Sequence, residues 1–158
     1  MARVAGVVLG AVLAAGLGAC GGGSPISSQP LAGTINGKRW AFVGGETDAF
    51  LSQGSDQFVA TLYDQAIDTP CAPSPPEGSN EHLILSIPMA VGHYSLSLSL
   101  NQTFSYEDAS GTAQNDITTI GALDVTSITA GRIAGGVAMV FGDKDGVDGQ
   151  FTIDVCAQ

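Results

Sequence analysis

Apolar and polar residues alternate along several short stretches of the chain, which is the pattern of β-strands. In residues 93–100, Tyr94, Leu96, Leu98 and Leu100 alternate with three serines. This period of two places one row of side chains on a core and the other row toward water. A helix would scatter the same leucines around its circumference, so the pattern predicts a strand.

Turn-forming residues separate the apolar stretches and set the number of predicted strands. The strongest hairpin signal is Asn36-Gly37, because this dipeptide accepts the positive φ angles of a tight turn. About eight or nine strands with turns between them predict an all-β domain, either an antiparallel β-sandwich or a small β-barrel. The predicted strands are residues 31–36, 38–43, 57–63, 82–88, 93–100, 103–107, 119–128, 131–141 and 150–155.

Two stretches lack a strand pattern. Residues 20–30 combine Gly, Ser and Pro with almost nothing to bury, so they predict a flexible tether. Residues 64–80 contain four prolines, which exclude a central strand and predict one long irregular connection. We therefore expect a single β domain over residues 31–158.

The first 19 residues have the layout of a signal peptide. Arg3 precedes an uncharged apolar stretch that continues to Ala19. A membrane helix needs about 20 apolar residues, whereas this stretch is rich in glycine and is followed by Cys20 and three more glycines. The pattern therefore favours a targeting segment over a membrane span.

The end of this segment, Leu17-Gly18-Ala19-Cys20, resembles the lipobox of bacterial lipoproteins. The resemblance implies cleavage before Cys20, lipidation of the Cys20 thiol and a location in the cell envelope. Several acyl chains on one residue hold a protein firmly to a membrane. Gly21 stands where aspartate would favour the inner membrane in the enteric sorting rule of this family, so the resemblance favours the outer membrane.

The charge balance excludes one class of partner. Removing 19 of the 158 residues leaves 139, a usual size for one domain. In this mature chain four cationic residues face 15 acidic residues, which gives a net charge of −11. Such a surface repels phosphate backbones, so we expect no nucleic-acid partner. The acidity favours solubility and, as an alternative, attraction to a basic protein partner. The four cations are Lys38, Arg39, Arg132 and Lys144.

Two cysteines remain once Cys20 is assigned to lipid. Cys71 and Cys156 would lie in a compartment that permits disulfides, so we expect one structural bridge between them. The alternative is two buried, reduced thiols. Neither cysteine lies in a Cys-x-x-Cys unit and no His or Cys cluster is near in sequence, so zinc or redox roles have little support.

Sequence motifs of catalysis are missing from the chain. Gly16-x-Gly18-x-x-Gly21 matches a dinucleotide fingerprint on paper, but it straddles the expected cleavage point and no strand or helix frames it. His82 and His93 each stand at a predicted strand start, where histidines are usually solvated surface residues. There is no G-x-S-x-G elbow, H-E-x-x-H or P-loop motif. We therefore expect no enzymatic activity and no cofactor.

Residues 143–149 form the densest acidic cluster of the sequence. Counted as a calcium loop from Asp143, the cluster has the wrong residue types at positions five and six, and strands flank it instead of helices. It predicts a hydrated hairpin loop in which Gly146 and Gly149 supply the turn. The weak candidate calcium ligands are Asp143, Asp145 and Asp148.

Trp40, the only tryptophan, lies three residues after Gly37. The pair resembles the Gly-x-Trp of lipocalin barrels with a spacing longer by one residue. That resemblance implies a barrel holding an apolar ligand, with Arg132 as the late-strand arginine that packs on the tryptophan. The alternative is a tryptophan that fills the core beside Phe42.

The mature chain also resembles small bacterial lipoproteins of unassigned function. The resemblance rests on Ile35-Asn36-Gly37-x-x-Trp40 near the start, and on Gly149-Gln150-Phe151 with Val155-Cys156 at the end. It implies an all-β domain and no known reaction. In format, acidic β lipoproteins with a disulfide also resemble periplasmic inhibitors of lysozyme, a basic enzyme. We therefore expect a non-enzymatic binding or structural module, with a lipocalin-like barrel or an inhibitor of a basic hydrolase as alternatives.

Overall fold

The fold is nearly all β, with 59% strand and 3% helix, as the alternating pattern predicts. A computed structural model describes residues 26–72, 76 and 81–157. In these ranges the one helix is α1 (Ala49–Ser52), and no helix is long and apolar enough to cross a membrane. The strands are β1 (Ala32–Ile35), β2 (Lys38–Ala41), β3 (Gly44–Asp48), β4 (Gln57–Tyr63), β5 (His82–Pro88), β6 (Gly92–Ser95), β7 (Gln102–Glu107), β8 (Ala113–Thr118), β9 (Gly121–Ile128), β10 (Arg132–Phe141) and β11 (Asp145–Asp154).

The strands form one curled sheet with the shape of a half-barrel. Its hydrogen-bonded order is β6-β9-β10-β11-β3-β4-β5-β7-β8, and the hairpin of β1 and β2 pairs with the N-terminal half of β11. Neighbours along this order are antiparallel except β11 and β3, which meet in parallel at Asp154 and Glu46. The Oγ1 of Thr118 donates to the carbonyl of Val140 at 2.7 Å, so the end of β8 returns to β10.

The hairpin between β1 and β2 forms at the predicted dipeptide. Asn36 and Gly37 have φ angles of 51° and 70°, and Ile35 pairs with Lys38 across the turn. Both angles lie in the left-handed region, which glycine and asparagine enter more easily than other residues. The sequence signal for this turn is therefore confirmed.

The core follows from the period of two. In β5 the side chains of Leu83, Leu85 and Ile87 are buried while the residues between them are half-buried. Trp40 also belongs to the core, and Phe42 packs against this core. The Nε1 of Trp40 donates to the carbonyl of Glu81 at 3.2 Å. The other large, fully buried side chains are Leu31, Ile35, Leu62, Gln102, Phe104, Leu123, Ile133 and Ile153.

Arg132 does not pack on Trp40, so the arginine pairing that the lipocalin resemblance implies is wrong. The Arg132 side chain is exposed at the start of β10, and its Nε lies 3.5 Å from the carboxylate of Asp154 on β11. Trp40 fills the core instead, which was the alternative interpretation of this residue.

The strand predicted over residues 93–100 is wrong in its second half. β6 ends at Ser95, and Ser97 and Leu100 exchange backbone hydrogen bonds, so the chain reverses between them. Leu96 and Leu100 are buried on either side of this reversal, whereas Leu98 at its tip is 88% exposed. The tight turn returns Leu100 to the core beside Leu96 and points Leu98 outward. The alternation of leucines alone does not distinguish this turn from a strand.

A hairpin turn follows Phe141 as predicted, but the extent of the predicted loop, residues 143–149, is wrong. The turn occupies residues 142–144, and β11 begins at Asp145, so Gly146 and Gly149 lie inside a strand. These glycines serve close backbone approach instead. A Cβ atom on Gly146 would lie 2.7 Å from the carbonyl oxygen of Met139 in β10.

Two further strands, β3 and β8, escaped prediction because their sequences, GGETD and AQNDIT, are mostly polar.

Residues 27–30, which the sequence assigns to the predicted tether, contact the β domain. The N–H of Ser27 donates to a carboxylate oxygen of Asp148 at 2.8 Å. The side-chain amide of Gln150 donates to the carbonyl of Ser27 at 2.7 Å. The backbone N–H of Gln150 donates to the carbonyl of Gln29 at 2.8 Å. The expected signal peptide, the lipobox with Cys20 and the start of the tether lie outside the described residues.

Candidate functional site

One candidate site forms where β3 meets the end of β11. β3 has a period of two that buries Thr47, while Glu46 and Asp48 on either side keep their carboxylates at least partly exposed. The chain leaving β11 is held beside it, because Oγ1 of Thr47 accepts the backbone N–H of Cys156 at 2.8 Å. β3 therefore brings two carboxylates to the cysteine at the end of the chain.

The disulfide between Cys71 and Cys156 closes this site from the loop side. Their Cα atoms are 5.3 Å apart, and the bridge ties the irregular connection after β4 to the residue that follows β11 by two positions. Cys71 is exposed and has a φ angle of +64°, whereas Cys156 is buried. The bridge is the pairing that the cysteine count predicts.

Glu46 is the residue that connects the disulfide to the sheet. Its Oε2 accepts the backbone N–H of Cys71 at 2.5 Å and lies 4.0 Å from Sγ of Cys156. The carboxylate oxygen and the two sulfur atoms all lie within 4.8 Å of one another. Three potential ligand atoms from distant parts of the sequence therefore meet at one place.

A cavity of about 400 Å³ opens beside this cluster and is lined by both cysteines and by Glu46, Asp48, Phe50 and Tyr63, among others. Phe50 stands at the rim with 82% of its surface exposed. Burial raises the pKa of the Tyr63 hydroxyl, and the negative charges of Glu46 and Asp48 raise it further, against the hydrogen bond with Thr61 that lowers it. Acidic and aromatic walls of this kind favour cationic groups.

A second cavity, of about 540 Å³, lies by the turn between β10 and β11. We call it the acidic groove; its walls are Asp116, Ile117, Phe141, Gly142, Asp143, Lys144 and Asp145. The hydroxyl of Tyr106 donates to Asp116 at 3.1 Å, and this bond raises the pKa of Tyr106, with smaller contributions from burial and from the charges of Asp116, Asp145 and Asp108. Negative charge therefore dominates this end of the sheet.

Asp108, in the turn between β7 and β8, has the most perturbed carboxyl among the described groups that titrate. Hydrogen bonds from the Ser110 hydroxyl, the backbone N–H groups of Thr112 and Ser110 and the side chain of Gln114 lower its pKa from 3.8 to about 2. The residue is half-buried. These bonds shape a local turn, and Asp108 adds permanent charge near the acidic groove.

The other residues singled out in the sequence do not assemble into a site. Nδ1 of His93 contacts Asp124 at 2.5 Å on the exposed face of β6 and β9, whereas the ring of His82 lies 5.9 Å from that of Tyr63 on β5 and β4. The two histidines thus belong to strands that are not neighbours in the sheet.

The weak calcium candidates are not brought together either. Asp145 accepts the backbone N–H of Gly37 at 3.0 Å, whereas Asp148 accepts that of Ser27 at 2.8 Å. In the described part of the chain, the group of side chains that could share a metal ion is Glu46 with the two cysteines, and the three aspartates do not form one. The described residues therefore give no support to the weak alternative of a calcium site at these aspartates.

Sequence reasoning missed Glu46, Asp48, Tyr63 and Asp116 as parts of a cavity. The sequence GGETD has no apolar alternation to mark a strand, and the period of two that places Glu46 and Asp48 on one side is seen only in the structure. Their meeting with the cysteines depends on the parallel contact of β3 and β11, which joins residues 108 positions apart. A pairing of that separation leaves no local signal in the chain.

These features define a class: an acidic, disulfide-bonded, all-β domain with charged cavities on its surface. Comparisons with protein-family models, with curated proteins and with solved structures find no match to this chain. The functional inference therefore rests on the residues themselves.

Proposed function

We propose that this chain is a bacterial lipoprotein, anchored in the cell envelope through Cys20, whose β domain is a non-enzymatic module that binds a basic protein partner. The anchor is supported by Leu17-Gly18-Ala19-Cys20 after a signal-like segment. The observation that carries the binding role is the acidic groove, where three aspartates line one cavity with a single cation, Lys144.

The acidic groove suits a protein surface better than a small anion or a nucleic acid. Asp116 and Asp143 are exposed to solvent, so their charges act at a distance and speed the encounter with a positive partner. Ile117, which is 67% exposed, adds apolar area between the charges. Interfaces commonly combine such an apolar contact with surrounding charged groups.

The interior of the half-barrel supports a surface partner over an enclosed apolar ligand. Large side chains such as Trp40, Phe104 and Leu123 are buried between the strands. The ring centroids of Phe104 and Phe141 are 3.5 Å apart, so aromatic rings fill the inner face directly beneath the acidic groove. A lipocalin-like role would need that space to be empty.

Binding can be tested with the mature chain carrying Cys20→Ser, which keeps it free of lipid. Lysozyme, as a basic hydrolase, and cytochrome c, as a basic protein without hydrolase activity, are titrated at increasing salt. We expect a complex that weakens with salt and that weakens further in Asp143→Asn. Asp68→Asn is the matched control, because it removes the same charge from the connection after β4.

Two results would count against the binding role. Equal weakening by Asp143→Asn and Asp68→Asn would show attraction to net charge and not to the acidic groove. The absence of any complex with either basic protein would contradict the proposal that the domain binds a basic partner. Loss of lysozyme activity in the complex would favour the inhibitor of a basic hydrolase over a structural module.

The anchor has its own experiment, in bacteria fed labelled palmitate. Cys20→Ser should abolish the label and leave the precursor uncleaved, because its thiol is the proposed acyl acceptor. Cys71→Ser should keep the label, since that cysteine lies in the folded domain. Equal label in the two variants would contradict the lipoprotein assignment.

The outer membrane is the proposed location, because Gly21 stands where aspartate would favour inner-membrane retention. In an enteric host, Gly21→Asp should move the lipidated protein to the inner-membrane fraction. Gly22→Asp is the control at the next position. Identical fractionation of the wild-type chain and Gly21→Asp would contradict sorting by this residue.

A further inference from the structure

Three side chains that are far apart in sequence point at one place beside the cavity of β3. They come from β3, from the irregular connection after β4 and from the segment after β11, and their ligand atoms lie within 4.8 Å of one another. Two of those atoms are the sulfurs of the disulfide, and the third is Oε2 of Glu46. We propose that Glu46, Cys71 and Cys156 form a binding site for a soft divalent cation such as zinc once the disulfide is reduced.

The types of ligand suit zinc. Thiolates and carboxylates both bind Zn²⁺, at about 2.3 Å for sulfur and about 2.0–2.2 Å for oxygen. Two sulfurs on a tetrahedral zinc lie about 3.8 Å apart by the same geometry. The Sγ of Cys156 already lies 4.0 Å from the Glu46 carboxylate, so the oxygen needs little movement to share a metal with it.

The larger movement falls on Cys71, which is the exposed partner of the bridge, although its N–H donates to the Glu46 carboxylate. This cysteine is exposed in the middle of the irregular connection between β4 and β5, and its φ of +64° is a conformation that residues other than glycine adopt at some expense. Cys156 stays in place, because it is buried and its N–H is held by Thr47.

The fourth position of such a metal would face the cavity. The three ligand residues line the same space of about 400 Å³ as Asp48 and Tyr63. Zinc with three protein ligands and one open position can exchange a water or a solute at that position. The cavity thus supplies room for an exchangeable ligand, whereas a purely structural zinc site is closed by four side chains.

The disulfide would act as the gate of the site. A dithiol reductant gives two electrons and two protons, so the Cys71–Cys156 bond breaks, two thiols form and the reductant becomes a disulfide. Zinc then displaces both thiol protons to solvent and is held by two thiolates and the Glu46 carboxylate. In the oxidised chain neither sulfur is available as a thiolate, so the site is closed.

The test uses the mature chain with Cys20→Ser, which leaves the two site cysteines as its thiols. A trialkylphosphine reduces the disulfide, and cobalt(II) is titrated as a spectroscopic substitute for zinc. We expect one equivalent of cobalt with thiolate charge-transfer absorption in the reduced chain, displaced by zinc, and none in the oxidised chain. Glu46→Gln should weaken binding by about tenfold or more, the scale on which even outer-sphere groups affect metal affinity.

Asp64→Asn is the matched control, because it removes an acidic charge next to β4 but outside the cavity. Its affinity for cobalt should equal that of the wild-type chain. An absence of charge-transfer absorption in the reduced chain, or equal affinity with and without the Glu46 carboxylate, would overturn the proposal.

Reduction of the disulfide could itself loosen the fold, so circular dichroism of the reduced chain is also measured with and without zinc. Zinc should raise the melting temperature of the reduced chain, or restore its β-structure, and should do so less for reduced Glu46→Gln at the same zinc concentration and not at all for the oxidised chain. Failure of zinc to stabilise the reduced chain would also reject the site. Lipid anchoring and partner binding depend on other residues, so their failure would leave this proposal standing.

Discussion

A Cβ atom at position 149 would lie 2.6 Å from the Cα of Leu31, so glycine is the residue that lets these two backbones touch. Gly149 also has a φ of +143°, a conformation that side chains rarely allow. Leu31 is fully buried and its N–H donates to the carbonyl of Gln150 at 2.9 Å. The contact therefore fixes the N-terminal segment of the domain against β11.

Gly149→Ala should destabilise the domain by at least about 2 kcal/mol, because backbone strain adds to the displacement of the segment around Leu31. Urea unfolding measures the change. Gly131→Ala is the matched control, since its Cβ would meet nothing within 4 Å, and it should leave stability nearly unchanged. Equal effects of the two substitutions would show that position 149 carries no special contact.

Two leucines of the same serine-leucine run should respond differently to truncation. Leu96→Ala removes a buried side chain and should destabilise the domain by about 2–5 kcal/mol, whereas Leu98→Ala, at the exposed tip, should change stability by less than about 0.5 kcal/mol. Thermal or urea unfolding distinguishes them. A large effect at Leu98 would restore the strand first expected there.

That contrast marks how far the sequence predicts the fold. A local rule sufficed for Asn36-Gly37, because the dipeptide alone determines the turn, and for β5, whose alternation matches its burial. It failed at Leu98, because the reversal depends on hydrogen bonds between Ser97 and Leu100 and not on their alternation. It failed again for β8, whose polar residues form a strand only because β7 pairs with them.

Loss of the disulfide should affect the two cysteines alike. Cys71→Ala and Cys156→Ala should each destabilise the domain by a similar amount, and the double variant little more, since one bond is lost in every case. Closing a loop of 85 residues is worth on the order of 4–5 kcal/mol as an upper figure. Two free thiols in the denatured, unreduced chain would refute the bridge.

The low pKa of Asp108 predicts a pH dependence with a definite sign. Its pKa is lowered from 3.8 to about 2, so the stability that it contributes is present above pH 3.8 and is lost as the pH falls through about 2. Ser110→Ala should raise this pKa toward 3.8, because the hydrogen bond from the Ser110 hydroxyl is the largest cause of the lowered pKa. Carboxyl carbon NMR titration measures it.

Ser99→Ala, a serine on a different turn, is the control for the Asp108 titration and should leave its pKa near 2. In Asp108→Asn, the free energy of unfolding should depend less on pH over the acidic range in which Asp108 titrates. An Asp108 pKa of 3.8 in the wild-type chain would mean that the hydrogen bonds of this turn do not persist in solution.

Millimolar calcium should leave the melting temperature essentially unchanged. Asp145 and Asp148 already accept hydrogen bonds from two different segments, so their carboxylates do not converge with that of Asp143 on one ion. A calorimetric scan with and without calcium checks this. A clear upward shift that disappears in Asp145→Asn would contradict it.

The candidate sites were less predictable than the fold. The cysteine count predicts the bridge, but Glu46 reaches it through one parallel contact between β3 and β11, which no spacing in the sequence encodes. The acidic groove likewise joins Asp116 of β8 to the turn after β10 through the curl of the sheet. Both sites depend on pairings across distant segments, and such pairings are properties of the whole fold.

The hydrogen bonds that hold Ser27, Gln29 and Leu31 to β11 also determine where the domain would feel a pull. Tension applied from the N-terminal side would enter at Asp148 and Gln150, in a central strand that is paired along its whole length with β10. Strands that share force along many parallel hydrogen bonds resist shear better than an edge that peels one bond at a time. With the proposed anchor at Cys20, this attachment would let the domain resist a pull from its N-terminal side.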